Sequence, residues 1–306
     1  MKVVFMGTPD FAVPCLEMLM KEHDVVLVIS QPDKPKGRGY VMTPPPVKEV
    51  AVENEIPVYQ PKSLKTGEAF SVIKSYDPDV IVVVAYGKIL PKEILELPRY
   101  GCINVHASLL PKFRGAAPIQ WSVINGDDVT GVTTMYMAEG LDTGDILLKS
   151  ELEIGENDTA GEVHDKLSLL GGKLINETLY KLARGQLSPI KQNDEDSSYA
   201  SMLTKEMGRL DFHKPNRQVH DLIRGMNPWP VAYTSFRGKM IKIYKSRMAS
   251  GKFCEKPGTI ICKDTVLVAC GEGAIEILEV QPEGKNRMTG KEFANGYRLK
   301  TGDLFI

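Results

Sequence analysis

The residues of this chain best suited to chemistry lie in one segment, Gly101-Cys-Ile-Asn-Val-His-Ala-Ser-Leu-Leu-Pro111-Lys-Phe-Arg-Gly-Ala-Ala-Pro118. Side chains alternate between the faces of an extended strand, so Asn104 and His106 share one face. An amide beside an imidazole suits acyl chemistry. The amide can donate to an oxygen gaining negative charge, and the imidazole can move a proton near neutral pH. Downstream, Glu139-Gly-Leu-Asp-Thr-Gly-Asp145 is a glycine-punctuated turn carrying acids. A carboxylate there could orient His106 or balance its charge, the usual third role in such sites. One Asn near one His is also an ordinary satisfied pair. Spacing alone therefore leaves an unspecified hydrolase or transferase.

The elements that must hold these groups follow from the apolar pattern. Residues 3–6, 25–30, 80–84 and 102–105 are short β-branched or apolar runs, and helical stretches such as 69–75 fall between them. Thr8 is placed to cap a helix, with Pro9 at its first position and helical spacing over residues 11–20. Strands alternating with helices predict an α/β fold with a Rossmann-like, mostly parallel open sheet. Such sheets bind ligands beyond the carboxyl ends of their strands, where Asn104 and His106 fall. One glycine follows the first strand where G-x-G-x-x-G would be needed, which argues against a dinucleotide site.

The chain's 306 residues allow about two domains. Residues 1–186 form the expected catalytic domain, and the polar, proline-punctuated stretch 187–204 the expected linker. Residues 205–306 hold a helix over 217–226 that stops at Asn227-Pro-Trp-Pro230. Five short strands follow, over 232–236, 240–244, 258–261, 266–269 and 275–280, predicting an OB-like β-barrel. Trp229 could stack on a base, although a Trp between prolines more often packs in a domain joint. The chain's net charge of −1 conceals about −8 over residues 1–204 and about +7 over 205–306. A basic second domain points to a polyanionic partner, with a solvated basic face as the alternative. Residues 31–46 form a loop rich in Pro, Gly and Lys, whose Lys34, Lys36 and Arg38 make a positive tip. No run approaches the ~20 apolar residues of a membrane helix. The five scattered cysteines form no CxxC pair, so neither a metal site nor a disulfide framework is expected. A cytoplasmic monomer is the expectation.

Asn104-x-His106-x-Ser108-Leu109-Leu110-Pro111, Arg114-Gly115-Ala116-x-Pro118 and Gly140-Leu141-Asp142-Thr143-Gly144 together closely resemble the folate-dependent formyltransferases. Further blocks resemble the branch of that family that acts on aminoacylated tRNA. They are Gly7-Thr8-Pro9-Asp10-Phe11-Ala12, Gln31-Pro32-Asp33-x-Pro35-x-Gly37-Arg38-Gly39 and Arg224-Gly-Met-Asn-Pro-Trp-Pro230, joined by Gln281-Pro282-x-Gly284-Lys285. The resemblance spans essentially the whole chain and is weakest over residues 235–275 and after Met288.

The resemblance implies a catalytic trio of Asn104, His106 and Asp142. An amino-acid amine would attack the formyl carbon of 10-formyltetrahydrofolate, a co-substrate, with no metal. Asn104 and protonated His106 would stabilise the oxyanion, and Asp142 would hold His106 or relay a proton. Tyr86, Gly87, Ile89 and Leu90 would line the folate, together with Ser108, Leu109, Leu110, Pro111 and Leu141. The implied partner is methionyl initiator tRNA. Its phosphates would meet Lys34, Lys36 and Arg38 and, on strands and turns of the second domain, Lys239, Lys242, Lys245, Arg247, Lys285 and Arg287. A relative acting on an amino-sugar nucleotide, and a non-enzymatic RNA-binding protein, are the competing readings.

Overall fold

The computed structural model describes residues 1–36 and 40–306. In chain order the strands of the first half are β1 (Lys2–Gly7), β2 (Asp24–Ile29), β3 (Lys34–Lys36), β4 (Val41–Thr43), β5 (Val58–Tyr59), β6 (Val80–Val84), β7 (Cys102–His106), β8 (Arg114–Gly115), β9 (Val129–Tyr136) and β10 (Ile146–Glu153). Among them run helices α1 (Val13–Glu22), α2 (Pro46–Glu53), α3 (Gly67–Ser75), α4 (Lys92–Leu95), α5 (Pro118–Ile124) and α6 (Ala160–Ala183). There follow β11 (Tyr199–Ala200), α7 (Asn216–Gly225), β12 (Ala232–Phe236), β13 (Lys239–Ala249), β14 (Ile260–Cys262), β15 (Leu267–Ala269), β16 (Ala274–Pro282), β17 (Met288–Thr289) and α8 (Gly290–Gly296).

The chain divides into two compact units. One comprises Met1–Gly115, Gly131–Leu152 and His164–Tyr199, and the other Ala116–Thr130, Glu153–Val163 and Ala200–Ile306. The stretch 187–204 is thus shared between them, with the division after Tyr199.

The seven-stranded sheet runs β10-β9-β7-β6-β1-β2-β5. Its central pairs are parallel, and β9 runs antiparallel to β7. Strand order reverses direction between β1 and β6, the kind of switch point at which α/β sheets open a crevice. The central strands are apolar throughout because both faces are covered. On one face Val4, Met6, Leu27, Ile29, Ile81 and Val83 pack with Ala69 and Ile73 of α3 and Ile94 of α4. Thr66 caps α3 by accepting a hydrogen bond from the Ala69 N–H at 3.3 Å.

Two local expectations change. Thr8 caps no helix. Its hydroxyl accepts from the Gln31 N–H at 3.3 Å and donates to the Tyr86 carbonyl at 3.4 Å, while Pro14 occupies the first turn of α1. Residues 31–46 are more than a loop, since β3 pairs antiparallel with β4 and places Lys34 opposite Thr43. The base of this hairpin is pinned by Asp33, which accepts from Lys48 Nζ at 2.8 Å and Gln60 Nε2 at 2.9 Å.

In the second unit, antiparallel strands pair in the order β12-β13-β16-β15-β14, with β17 on β16. This barrel-like sheet is an open path among the described residues, wrapped around Ile241, Ile243, Ile275, Phe293 and Phe305. A register shift in β13 between Ile243 and Lys245 changes which face alternate residues occupy. Ile241 and Ile243 point inward before it, and Tyr244 and Ser246 after it. Lys242, Lys245 and Arg247 consequently lie on the outer side.

Helix α7 carries buried polar groups. Asp221 accepts from Arg217 Nε at 2.8 Å and from Arg224 Nε at 2.7 Å. His220 donates through Nε2 to the Glu156 carbonyl at 3.0 Å and accepts at Nδ1 from the Ser246 hydroxyl at 2.9 Å. Burial holds the pKa of His220 below its ordinary value. No helix among the described residues is long and apolar enough to cross a membrane.

Candidate active site

Strand β7 supplies Asn104, half-buried, and His106 at the strand's end, 6% exposed. Their shared face follows from the two-residue period of the strand. The ring of His106 is fixed by its surroundings. Its Nε2 lies 2.9 Å from the Phe113 carbonyl oxygen, which only accepts, so Nε2 carries a hydrogen. Nδ1 then faces Asp142 Oδ1 at 3.7 Å, an ion-pairing distance rather than a hydrogen bond. In the neutral ring Nδ1 is the free base, and it is the nitrogen that can take or release a proton.

Phe113 is held for this task. It sits at φ +59, a left-handed conformation costly for a bulky residue. Its N–H donates to the Ser198 hydroxyl at 2.8 Å, and the neighbouring Arg114 N–H donates to the Ser198 carbonyl at 2.9 Å. Asp142 is also left-handed, at φ +52, a conformation that Asp tolerates better than most residues. Its Oδ2 accepts from the Gly115 N–H at 2.9 Å, leaving Oδ1 toward His106.

The position of Asp142 is set by tertiary structure. In the β7–β9 register, Ile103 faces Tyr136 and His106 faces Thr133. The Met137 N–H donates to the Cys102 carbonyl at 2.8 Å, so the loop after β9 leaves from the far end of β7. Four residues of strand separate that end from His106, about 13 Å at ~3.3 Å per residue. The loop must therefore fold back along the sheet to bring Asp142 to His106. Gly144 makes this possible, because a Cβ there would lie 1.7 Å from the Tyr136 carbonyl oxygen.

The remaining expected positions separate by exposure. Ile89 and Leu141 are 76% and 58% exposed, large apolar side chains facing outward on the two loops. Gly87, at φ +76, makes the turn after β6, and a Cβ there would meet Gln31 Nε2 at 2.9 Å. Tyr86 and Leu90 lie in the core instead, 1% and 4% exposed. The Tyr86 hydroxyl is buried without a partner, and burial pushes its pKa up to about 12. Ser108 and Leu110 are fully buried. The Ser108 hydroxyl donates to the Lys112 carbonyl at 2.6 Å, and Leu110 packs with Met135 and Ile146. Any ligand contact from those two residues must run through backbone. Leu109 and Pro111 are half-buried.

Of the expected phosphate contacts, Lys34 is exposed and donates to Gln31 Oε1 at 3.1 Å, Lys36 lies in β3, and Arg38 lies outside the described residues. In the second unit Lys239, Lys245, Arg247, Lys285 and Arg287 are exposed and Lys242 is half-buried. Arg247 pairs with Glu276, and Arg287 pairs with Glu279 at 3.3 Å while covering the Tyr244 ring at 3.5 Å. The four lysines make no ion pair among the described residues. Trp229 is 55% exposed and so is not the buried joint residue its flanking prolines imply. A cavity of about 460 Å³ in the second unit is lined by Arg209, Phe212, His213, Lys256 and Phe305 among others. It contains none of the trio.

Gln192, Ser198 and the Phe113 carbonyl were not legible as site residues. They lie in polar or loop stretches with no periodicity; Gln192 and the Phe113 carbonyl meet the trio only through the fold, and Ser198 reaches it only by way of Phe113 and Arg114.

Comparison with known proteins shows the family to which the chain belongs. A formyl transferase family model matches residues 1–179, and a formyl transferase C-terminal domain model matches residues 202–298. A methionyl-tRNA formyltransferase of Caldanaerobacter subterraneus is 51% identical over 307 residues, 99% of each chain. One from Clostridioides difficile is 51% identical over 305 residues, again 99% of each. Among solved structures, an N-formyltransferase from Helicobacter canadensis in complex with folinic acid and dTDP-3-aminofucose superposes with a TM-score of 0.70. It is 22% identical and covers 90% of this chain and 99% of its own, a likeness of fold.

Proposed function

The chain belongs to the formyl transferase family, and from that premise we propose how its residues move a formyl group onto the amino group of methionyl-tRNA, the reaction it catalyses. The observation that carries the substrate is the half-identity to methionyl-tRNA formyltransferases along both halves of the chain. The sugar-directed neighbour shares the fold at far lower identity.

The acceptor in this reading is the initiator tRNA and the donor is 10-formyltetrahydrofolate, which supplies an electrophilic formyl carbon and leaves as tetrahydrofolate. Two observations fit such a donor: outward-facing Ile89 and Leu141 offer apolar walls, and the Gly87 turn lets backbone approach a ring. Asn104 donates its amide hydrogen to the formyl oxygen as that oxygen gains charge. His106 works through Nδ1, since Nε2 is held on Phe113. The attacking amine must lose a proton and the departing folate nitrogen must gain one, and Nδ1 is placed to carry it between them. Asp142 stabilises the imidazolium that forms meanwhile.

Lys34, Lys36 and Arg38, with the lysines of the second unit, would contact tRNA phosphates, a reading favoured by the exposure of Lys34, Lys239, Lys245 and Lys285 and by the charge of residues 205–306. The proposal places the protein in the cytoplasm as a monomer, with residues 1–186 and 205–306 as its catalytic and tRNA-binding parts. The test is transfer of labelled formyl from 10-formyltetrahydrofolate to methionyl initiator tRNA by the full chain, with His106→Ala beside it. Label on the tRNA, lost in the variant, is the expected result. Consumption of the folate only with an amino-sugar nucleotide would overturn the choice of acceptor.

A further inference from the structure

Asp142 stands at the centre of a loop that must turn back along the sheet, and one side chain from elsewhere in the chain holds that loop. Gln192 is 7% exposed, and its amide is completely used. Nε2 donates to the Asp142 carbonyl at 2.9 Å and to the Gly144 carbonyl at 2.7 Å. Oε1 accepts from Arg114 Nε at 3.0 Å and Arg114 Nη2 at 2.8 Å. Two donors and two acceptor sites is the full capacity of a primary amide. Its orientation is unambiguous, because a flip would set its oxygen against two carbonyls and its NH₂ against a guanidinium.

This amide therefore joins the two separated blocks of the site. On one side is the Asp142 turn. On the other is Arg114, next to Phe113, whose carbonyl holds His106. Gln192 is itself anchored within the same unit. Ile190 pairs with Ile146 through two backbone hydrogen bonds of 2.8 and 2.9 Å, and Asn193 caps the short 3-10 turn Asp194–Asp196. Asp194 returns to Arg114 at 2.9 Å, and Ser198 closes the strap on Phe113. The stretch from Ile190 to Ser198, in sequence an unremarkable polar connector, is built into the back of the catalytic site.

We propose that Gln192 is a positioning residue for formyl transfer, holding the backbone of the Asp142 turn so that the carboxylate stays aimed at His106 Nδ1. The inference rests on the reading of Asp142 and His106 as catalytic. Carboxylate and imidazole are already 3.7 Å apart, so little further displacement is tolerable. A misplacement of ~1 Å from a change outside the chemistry can cost about 100-fold in rate.

The test compares Gln192→Ala, Gln192→Glu, Asp142→Asn and the double variant Gln192→Ala/Asp142→Asn, in the full chain, with 10-formyltetrahydrofolate and methionyl-tRNA. Gln192→Glu is the informative arm. It has nearly the shape of glutamine and keeps the acceptor for Arg114, but it replaces the donor to the Asp142 and Gly144 carbonyls with a second oxygen. Should Gln192→Ala fail to fold, that near-isosteric variant carries the test. The expected result is a kcat lowered about 10- to 100-fold in both single Gln192 variants, with KM for both substrates within about twofold. The double variant is expected to be within about twofold of Asp142→Asn alone, because the two residues act as a unit. A role confined to Arg114 would leave Gln192→Glu close to wild type, and that outcome overturns the proposal. So do Gln192 losses that multiply with that of Asp142→Asn, or that appear in KM alone. Wild-type kcat in Asp142→Asn overturns the catalytic reading itself and this inference with it. Wild-type kcat in the Gln192 variants beside a slow Asp142→Asn overturns this inference only.

Discussion

The end of β7 and the outer face of β13 both present polar groups to which the proposed function assigns roles, but they hold them in opposite ways. At β7, His106 is buried and Asp142 half-buried, and both are fixed by backbone atoms, with Phe113 O on the imidazole and Gly115 N on the carboxylate. On β13, Lys239, Lys245 and Arg247 extend into solvent, with Lys242 half-buried among them. A buried site makes each group irreplaceable, because a donor in a dry, preorganised place has no water to substitute for it. Exposed cations act by summed charge, screened over about 8–10 Å at ordinary ionic strength. Single changes should be severe in the first region and mild in the second.

The largest effect should come from Asn104→Ala and from His106→Ala, each lowering kcat about 100- to 1000-fold in single-turnover formyl transfer while KM for tRNA changes little. Equal losses in KM would erase the distinction between the two regions. Next comes Gly144→Ala, which acts on the backbone of the Asp142 turn. The added Cβ would meet the Tyr136 carbonyl at 1.7 Å and push the Asp142 turn off the sheet. Overpacking of about 1–3 kcal/mol should appear in the melting curve, with a kcat loss of at least ~10-fold. A variant active and as stable as wild type would mean that the turn is not held where the geometry has it.

On the basic face, Lys242→Ala and Lys245→Ala should each raise KM for tRNA by only about two- to fivefold at low salt. Each should also reduce the salt slope of binding by about one. Arg287→Ala should do less than either lysine change, since Glu279 and the Tyr244 ring already engage that guanidinium. Filter-binding titrations across a salt series check all three variants.

The smallest effect separates stability from chemistry. Burial keeps His220 below its ordinary pKa of 6.5, so the folded chain binds its proton less readily than the unfolded chain does. Stability from this group is present above about pH 6.5 and is lost as pH falls through the folded pKa. Melting temperature should fall between pH 7 and pH 5, and His220→Gln should reduce that fall by about 2–4 °C per kcal/mol removed. An unchanged pH dependence in the variant would show that other groups set it.

Much of the architecture was legible because it rests on local periodicity. The apolar runs at β1, β2, β6 and β7 announce a buried parallel sheet, and turn residues mark the short strands after Pro230. Where local signals competed, the fold decided. Thr8 looks like a helix cap, yet its hydroxyl serves the β1–β2–β6 crossing between Gln31 and Tyr86. Ser108 and Leu110 sit in the densest motif, yet their side chains are fully buried. Trp229 carries the signal of a joint and is exposed.

By itself the sequence determined that Asn104 and His106 share a face at the end of a buried strand, because the two-residue period of an extended chain is a covalent fact. It determined equally that the charge of the chain is unevenly divided, since composition requires no fold. Only tertiary structure decided which nitrogen of His106 is free, because that depends on a carbonyl seven residues away in a left-handed turn. It also decided that Asp142 reaches His106 from a loop starting at the other end of β7, and that Gln192 holds it there. Hydrogen bonds spanning 27 to 50 residues leave no periodic trace in a sequence, since any spacing satisfies them once the backbone has folded.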